Sequence, residues 1–303
     1  DWAEQEFGRV RLRDRRHRER LCRVARDFYA QPGANIAQAC QSRAKTKAAY
    51  RLFEHKAVKM DAILCSHYHS TMERIAQEKI PLVLAVQDTT SFNYDTHADM
   101  EGLGPISTKV DGAQGIVMHD TMAYTTEGTA VGLVEIEVWA RDPKQFGKSA
   151  NRYQRPIEQK ESSKWLKSFA AAARLQRQLG AACTVVSVGD READVYELFL
   201  LAQKDPLHPK LLIRAEQDRR LQDSDAKLWR YMESQAVAGK RLLHLPRTKA
   251  RAARDCVLAV RFARVELQAP KRNPSLRALS LWAVYVTEVN PPSPQEAIEW
   301  MLL

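Results

Sequence analysis

Two short apolar runs, each ending on an aspartate, constrain this chain more than any other feature. Leu82-Val83-Leu84-Ala85-Val86 leads into Gln87-Asp88-Thr89-Thr90, and residues 184–188 lead into Gly189-Asp190. Uncharged runs this short have the length of buried strands. A helix is expected over Ser163–Leu179, with Trp165, Phe169, Ala172 and Leu179 on one face and Gly180 just past its end. A second helical pattern brings Val195, Leu198, Phe199 and Ala202 together, and a strand follows at 211–214. Residues 114–125 and 129–139 are β-rich and flank Thr126-Glu127-Gly128, which predicts a hairpin. Strands followed by alternating helix and strand define an α/β fold, whose sites lie beyond the carboxyl ends of strands. Asp88 and Asp190 are both expected there, with Asp88 buried and in need of a partner. The simpler alternative is that each caps the turn or helix that follows it.

The flanking regions have a different character. Residues 1–75 read as helical: Leu21, Val24, Ala25 and Phe28 form one apolar stripe beneath an arginine-covered face. After a Pro32-Gly33 break, Asn35 and Ser42 are candidate caps for two further helices. Such a set of small helices is compatible with a helix-turn-helix-like DNA module. Phe28 and Tyr29 are most simply core residues. Residues 215–290 offer strands at 241–245, 256–267 and Leu279–Val289, joined by basic, proline-containing loops. The terminal Trp300-Met301-Leu302-Leu303 reads as a strand with an unprotected apolar edge.

Charge follows the same division. Residues 8–27 hold nine arginines against three acids, and residues 240–277 hold eleven Lys/Arg against two. The whole chain carries +10, so the remainder is acidic, with a net −5. Basicity concentrated in two patches is the footprint of a polyanion-binding protein; two solvated faces without a partner are the plain alternative. At 45% hydrophobic and 28% charged residues, the composition is that of a globular chain, and no apolar run approaches the ~20 residues of a membrane helix. Five scattered cysteines suggest reduced thiols in a cytoplasmic compartment. The chain opens on Asp1 rather than Met, as expected if its numbering starts inside a longer reading frame.

Two strand-end carboxylates suit hard divalent cations such as Mg²⁺ or Mn²⁺, and a pair of such ions can clamp both oxygens of a phosphodiester exchange. Cys65, His67 and His69 alternate like metal ligands, but in a helix residues two apart do not share a face. No P-loop, Gly-rich dinucleotide motif or serine-nucleophile elbow is present.

Asp88-Thr89-Thr90-Ser91, Lys160-Glu161-Ser162-Ser163-Lys164-Trp165, Asp190-Arg191-Glu192-Ala193-Asp194 and residues 288–303 resemble transposases of the insertion-sequence-four family, of the transposon-five type. Asp1-Trp2-Ala3 and Ala49-Tyr50-Arg51 extend the likeness to the start, so it covers essentially the whole chain in the same order. The resemblance implies a DDE transposase. Residues 1–75 would form a helical DNA-end-binding domain, and 76–303 a ribonuclease-H-like catalytic domain carrying a β-rich insertion at about 215–290.

In that family an acidic triad holds two Mg²⁺ or Mn²⁺ ions. Water, and then the freed 3′-hydroxyl, attacks phosphodiesters at the transposon end and in target DNA, within a homodimeric synaptic complex. Asp88 and Asp190 match the first two catalytic, metal-binding aspartates. Arg214 matches an arginine near the scissile end, and Trp300 a tryptophan associated with an extruded base. Arg16, His17 and Arg20 fall where the family's amino-terminal arginines contact DNA, with His17 in place of an arginine. The family's catalytic glutamate lies on a helix past a strand like 300–303, and no glutamate within 1–303 matches it. The expectation is therefore a fragment, its parent bacterial and nucleoid-associated in the cytoplasm. A catalytically dead DNA-binding relic or transposition inhibitor, and an unrelated ribonuclease-H-like nuclease, are the competing expectations.

Overall fold

The first 77 residues fold into five helices because their apolar residues recur at helical spacing and their starts are capped. The helices are α1 (Trp2–Phe7), α2 (Arg15–Ala30), α3 (Ile36–Cys40), α4 (Arg43–Glu54) and α5 (Met60–Gln77). Asp1, Asp14, Asn35 and Ser42 each accept a backbone N–H at the start of α1 to α4, and Asn35 forms a reciprocal capping box with Gln38. Leu21, Val24, Cys40, Ala49, Leu52 and Val58 close a small core, with Phe28 packed against it. Tyr29 is not part of that core: it is 73% exposed and leans on Trp2, with ring centroids 4.9 Å apart.

The computed structural model describes residues 1–97, 99–107, 112–144, 146–147, 155–222, 224–248 and 251–303; Lys249 of the second basic stretch lies outside them. After α5 come β1 (Leu82–Asn93), β2 (Gly104–Pro105), β3 (Gln114–Tyr124) and β4 (Ala130–Trp139). Then follow α6 (Ser163–Leu179), β5 (Thr184–Gly189), α7 (Tyr196–Ala202), β6 (Lys210–Ile213) and α8 (Leu228–Glu233). The last strands are β7 (Gly239–Leu245), β8 (Arg254–Leu267), β9 (Leu279–Val289) and β10 (Glu299–Leu302). The result is a mixed α/β molecule with a helical amino-terminal region and two sheets.

In the first sheet β3 pairs with β1 antiparallel, β1 with β5 parallel and β5 with β6 parallel, while β4 and β2 both pair with β3. Val83, Ala85 and Val185 point to one face, where Ile75 of α5 and Ala171, Ala172 and Leu175 of α6 bury them. Leu84, Val86, Met118, Met122, Val186 and Val188 point to the other face and are only half-buried. The second sheet has the order β10-β9-β8-β7. Its inner face joins α6, α7 and α8 in the largest core, around Trp165, Phe169, Tyr196 and Leu228.

Three sequence expectations change here. The first strand does not stop near Val86 but runs to Asn93, because the residues after Asp88 keep their pairing with β3. Within 215–290 a helix, α8, buries Leu228 and Met232 completely. Finally, β10 has no bare edge: Ile213 and Leu303 exchange backbone bonds of 2.9 and 2.8 Å, so the strand lies between β9 and the end of β6.

The helical region is joined to the first sheet by side chains as well as by the chain itself. Glu6 of α1 accepts from Arg74 and lies 2.7 Å from His67 Nδ1, both on α5. His67 Nε2 in turn accepts the N–H of Leu133 on β4 at 3.0 Å, so Nδ1 carries the proton and donates to Glu6. Gly132 makes the close approach possible, since a Cβ there would lie 2.3 Å from Thr71 Oγ1.

Burial raises the pKa of Glu6, but its bonds to His67 and Arg74 outweigh that and hold it below the usual 4.5. Its stabilising contribution is therefore present above the unfolded value and lost as pH falls through the folded one. Glu6→Gln should flatten the acid limb of stability against pH, measured by urea unfolding between about pH 3 and 7. An unchanged acid limb would remove Glu6 from the junction.

Candidate functional site

Asp88 and Asp190 are set by neighbouring parallel strands. The last pair of that ladder is Val86 with Val188, and Asp88 and Asp190 each follow two residues later along their own segments. Asp190 keeps an extended backbone, and its carboxylate caps the turn Arg191–Ala193 by accepting the N–H of Glu192 at 2.9 Å. Asp88 accepts the N–H of Thr89 at 2.7 Å. Both side chains are exposed, so the expected burial of Asp88 does not occur. The reason is positional: β5 leaves β1 after Val86, and the half-buried face of the sheet opens to solvent at this point.

A third carboxylate, with no sequence motif of its own, lies beside Asp88. Asp120 pairs directly with Asp88 across β1 and β3, on the same face. Burial raises its pKa, and the negative charge of Asp88 raises it further. Like charges directly opposite on a sheet are unfavourable. Among the described residues, however, no three His, Cys, Asp or Glu side chains converge into a preformed metal cage.

Beneath these carboxylates the sheet is held by buried polar contacts. Gln87 donates to Ser187 Oγ at 2.5 Å and ties β1 to β5 just before the two aspartates. His119 Nδ1 lies 2.9 Å from Thr89 Oγ1, and the ring meets Trp165 edge-on at 4.6 Å. Burial, aided by the charge of Lys164, lowers the His119 pKa to about 4, so the ring is neutral at pH 7. Lys164 is itself buried and pairs with Glu192 at 3.1 Å, which joins the stretches 160–165 and 190–194 in space. Gly189 allows this packing, because a Cβ there would lie 2.5 Å from that of Ala193.

Asp194, in the same stretch as Asp190, has a structural task. Its carboxylate meets Arg219 at 2.5 Å and accepts the N–H groups of Glu216 at 2.8 Å and Gln217 at 2.7 Å. The side chains of Asp194 and Arg219 are 1% and 10% exposed.

Arg214 continues from β6, and its N–H donates to Gly189 O at 3.1 Å, next to Asp190. Arg214 and Trp300 line one cleft of about 310 Å³, together with Arg191 and Trp229. A larger cleft of about 920 Å³ on the other side of Arg191 is lined by Lys160, Arg219, Arg220, Lys271 and Arg272, among others. Arg191 and Trp229 were not anticipated, and only the fold brings them to Trp300.

Arg16, His17 and Arg20 lie elsewhere, on the first turns of α2. Arg16 folds back onto Asp14 at 2.8 Å, and that contact lowers the Asp14 pKa to about 2. His17 lies against His55 with ring centroids 4.3 Å apart and planes tilted by 53°, and Arg20 is half-buried. Along the same helix Arg15 pairs with Glu19 and Arg26 with Asp1. Arg11, Arg13, Arg18 and Arg23 have no carboxylate within ion-pair distance among the described residues. On α5, His67 and His69 serve different partners, Glu6 and Glu73. No described helix is long and apolar enough to cross a membrane.

Residues 1–58 match the family model for transposase DNA-binding regions. Among solved structures, the chain is similar to the piggyBac transposase synaptic complex with hairpin DNA, determined by cryo-electron microscopy. The identity is 10% and the TM-score 0.35; the match covers 92% of this chain and 49% of that one. The chain thus spans about half the length of that transposase.

The three aspartates near the site should respond differently to removal. Asp194→Ala leaves Arg219 buried and unpaired and should cost about 3–5 kcal/mol. Asp88→Ala and Asp190→Ala remove exposed groups and should stay within about 1 kcal/mol. Urea unfolding of the three variants measures this, and equal losses in all three would contradict the assignment.

Proposed function

We propose that this chain is the DNA-binding and catalytic-core portion of a DDE transposase of the insertion-sequence-four type. The observation that carries the proposal is the helical region: residues 1–58 match transposase DNA-binding regions, and α2 presents an arginine-rich face. The strand order β4-β3-β1-β5-β6, antiparallel at one side and parallel at the other, supports a ribonuclease-H-like reading of the first sheet. In this reading α2 grips the phosphates of a transposon end and a second copy does the same at the other end. The sheet presents its carboxylates to the scissile bond.

Asp88 and Asp190 supply hard oxygen ligands from neighbouring strands, and Asp120, whose pKa is raised first by burial and then by the charge of Asp88, stands opposite Asp88. This donor set fits Mg²⁺ or Mn²⁺. Bound there, such an ion would polarise a phosphodiester oxygen and acidify a coordinated water. The chain's own groups do the positioning. Arg214 and Arg191 offer fixed positive charge beside Asp190 for the phosphates flanking the cut. Trp300 and Trp229 offer aromatic surface in the same cleft to a base displaced from the duplex.

Phosphate contacts and metal ligands are separate in this arrangement, so they should fail separately. Replacing both Arg16 and Arg20 by Ala should weaken binding to transposon-end duplex. It should also flatten the slope of log K against log salt by about 0.9 for each phosphate no longer neutralised. Asp88→Ala or Asp190→Ala should leave that slope intact and abolish Mn²⁺ binding, followed by the electron paramagnetic resonance of free Mn²⁺. In the full-length parent they should also abolish end cleavage. An unchanged salt slope in the arginine variant would overturn the assigned DNA contacts. Undiminished Mn²⁺ binding in both aspartate variants would overturn the metal site.

A further inference from the structure

The outer face of the second sheet is half covered. Leu245, Cys256, Leu258 and Val286 are buried there, with Ile298 and Trp300 packed against them. Further along the same face nothing among the described residues covers Phe262 and Trp282, which are 54% and 58% exposed. They flank Val284: Phe262 is its cross-strand partner, and Trp282 precedes it by two residues on β9. Their ring centroids are 5.9 Å apart at 60°. Arg264 stands directly opposite Trp282 on the same face, and its Nε donates to Ser280 Oγ at 3.0 Å. That bond fixes the guanidinium, and no carboxylate among the described residues forms an ion pair with it. Arg241, opposite Leu258, is a second exposed cation on this face.

Two large rings standing in water on a rigid sheet lose apolar burial for no structural return. Their neighbourhood selects the partner. The stretch 240–277 carries a net +9, which favours a polyanion, and aromatic rings beside fixed cations suit ligands that alternate flat bases with phosphates. Duplex DNA hides its base faces, whereas an unpaired strand exposes them.

We propose that Phe262, Trp282 and Arg264 form a binding site for single-stranded DNA. Bases stack on the two rings, and the adjoining phosphates meet Arg264 and Arg241. The site is distinct from the cleft at Trp300 and from the arginine face of α2. It rests on the preceding reading only in taking DNA as the nucleic acid.

The test titrates the 303-residue chain into fluorescently labelled oligo(dT) of about ten nucleotides and, separately, into a labelled duplex. A stacked base is worth about 1–3 kcal/mol. Trp282→Ala and Phe262→Ala should therefore each weaken oligo(dT) binding about tenfold while duplex binding stays unchanged. Trp282→Tyr, which keeps a stacking ring, should recover most of the affinity. Both positions are exposed, so the variants should fold, and unchanged circular dichroism verifies this. Equal oligo(dT) affinity in wild type and the double variant would overturn the site. So would a parallel loss of duplex binding, or a concentration-dependent dimer that the double variant dissolves, since the face would then pair copies of the chain. Loss of all DNA binding by the wild-type chain would sink the broader transposase reading as well, whereas duplex binding without aromatic dependence removes this site alone.

Discussion

Strand β1 is the constraint on which the rest of the molecule depends. From Leu84 to Val86 it is paired on both sides, antiparallel to β3 and parallel to β5. Beyond Val86 only β3 continues with it. This change from two neighbours to one exposes a backbone edge while its polar side chains remain in strand geometry. Asp88 lies two residues past that boundary, and the register of β1 on β3 sets Asp120 directly opposite it. A one-residue slip of β1 would turn Asp88 into the core and Gln87 out of it. The Gln87–Ser187 bond and the Thr89–His119 contact on the opposite face resist such a slip.

Electrostatically the molecule is divided into regions with different tasks. On α2 several arginines are already bound to carboxylates of the same chain, Arg16 by Asp14 and Arg15 by Glu19. Such exposed pairs contribute little stability. The pair between Asp194 and Arg219 is of the opposite kind: buried, with backbone N–H groups filling the remaining lone pairs, and committed to shaping the turn after Asp190. The stretch 190–194 thus has Asp190 and Glu192 facing outward and Asp194 locked inward.

Much of the scaffold was legible because it is written in local patterns. The caps Asn35 and Ser42, the helix over Ser163–Leu179 and the strand over Leu279–Val289 all follow from spacing and end signals. The extension of β1 through Thr90 to Asn93 was not, because those residues look like a polar turn and are held only by β3. Helix α8 is six residues long, too short for its periodicity to stand out. Asp120 has no local signature at all. It joins Asp88 only through the register of two strands, and Arg191 and Trp229 join Trp300 only through the packing of three separate segments. Long-range pairings of this kind depend on the whole fold and leave no trace in a window of a dozen residues.

The junction of Glu6, His67 and Leu133 gives the molecule a mechanical character. Its two ends are 61 and 66 residues from His67 in sequence, yet one imidazole spans them. Because the ring donates on one side and accepts on the other, it behaves as a rod and not as a tether. Contacts run unbroken from α2 through α1 and α5 to β4, and by strand pairing through β3 to β1. The segment around 78–81 is not the only link. The helical region is thereby fastened to β4, whose neighbour β3 carries Asp120 opposite Asp88.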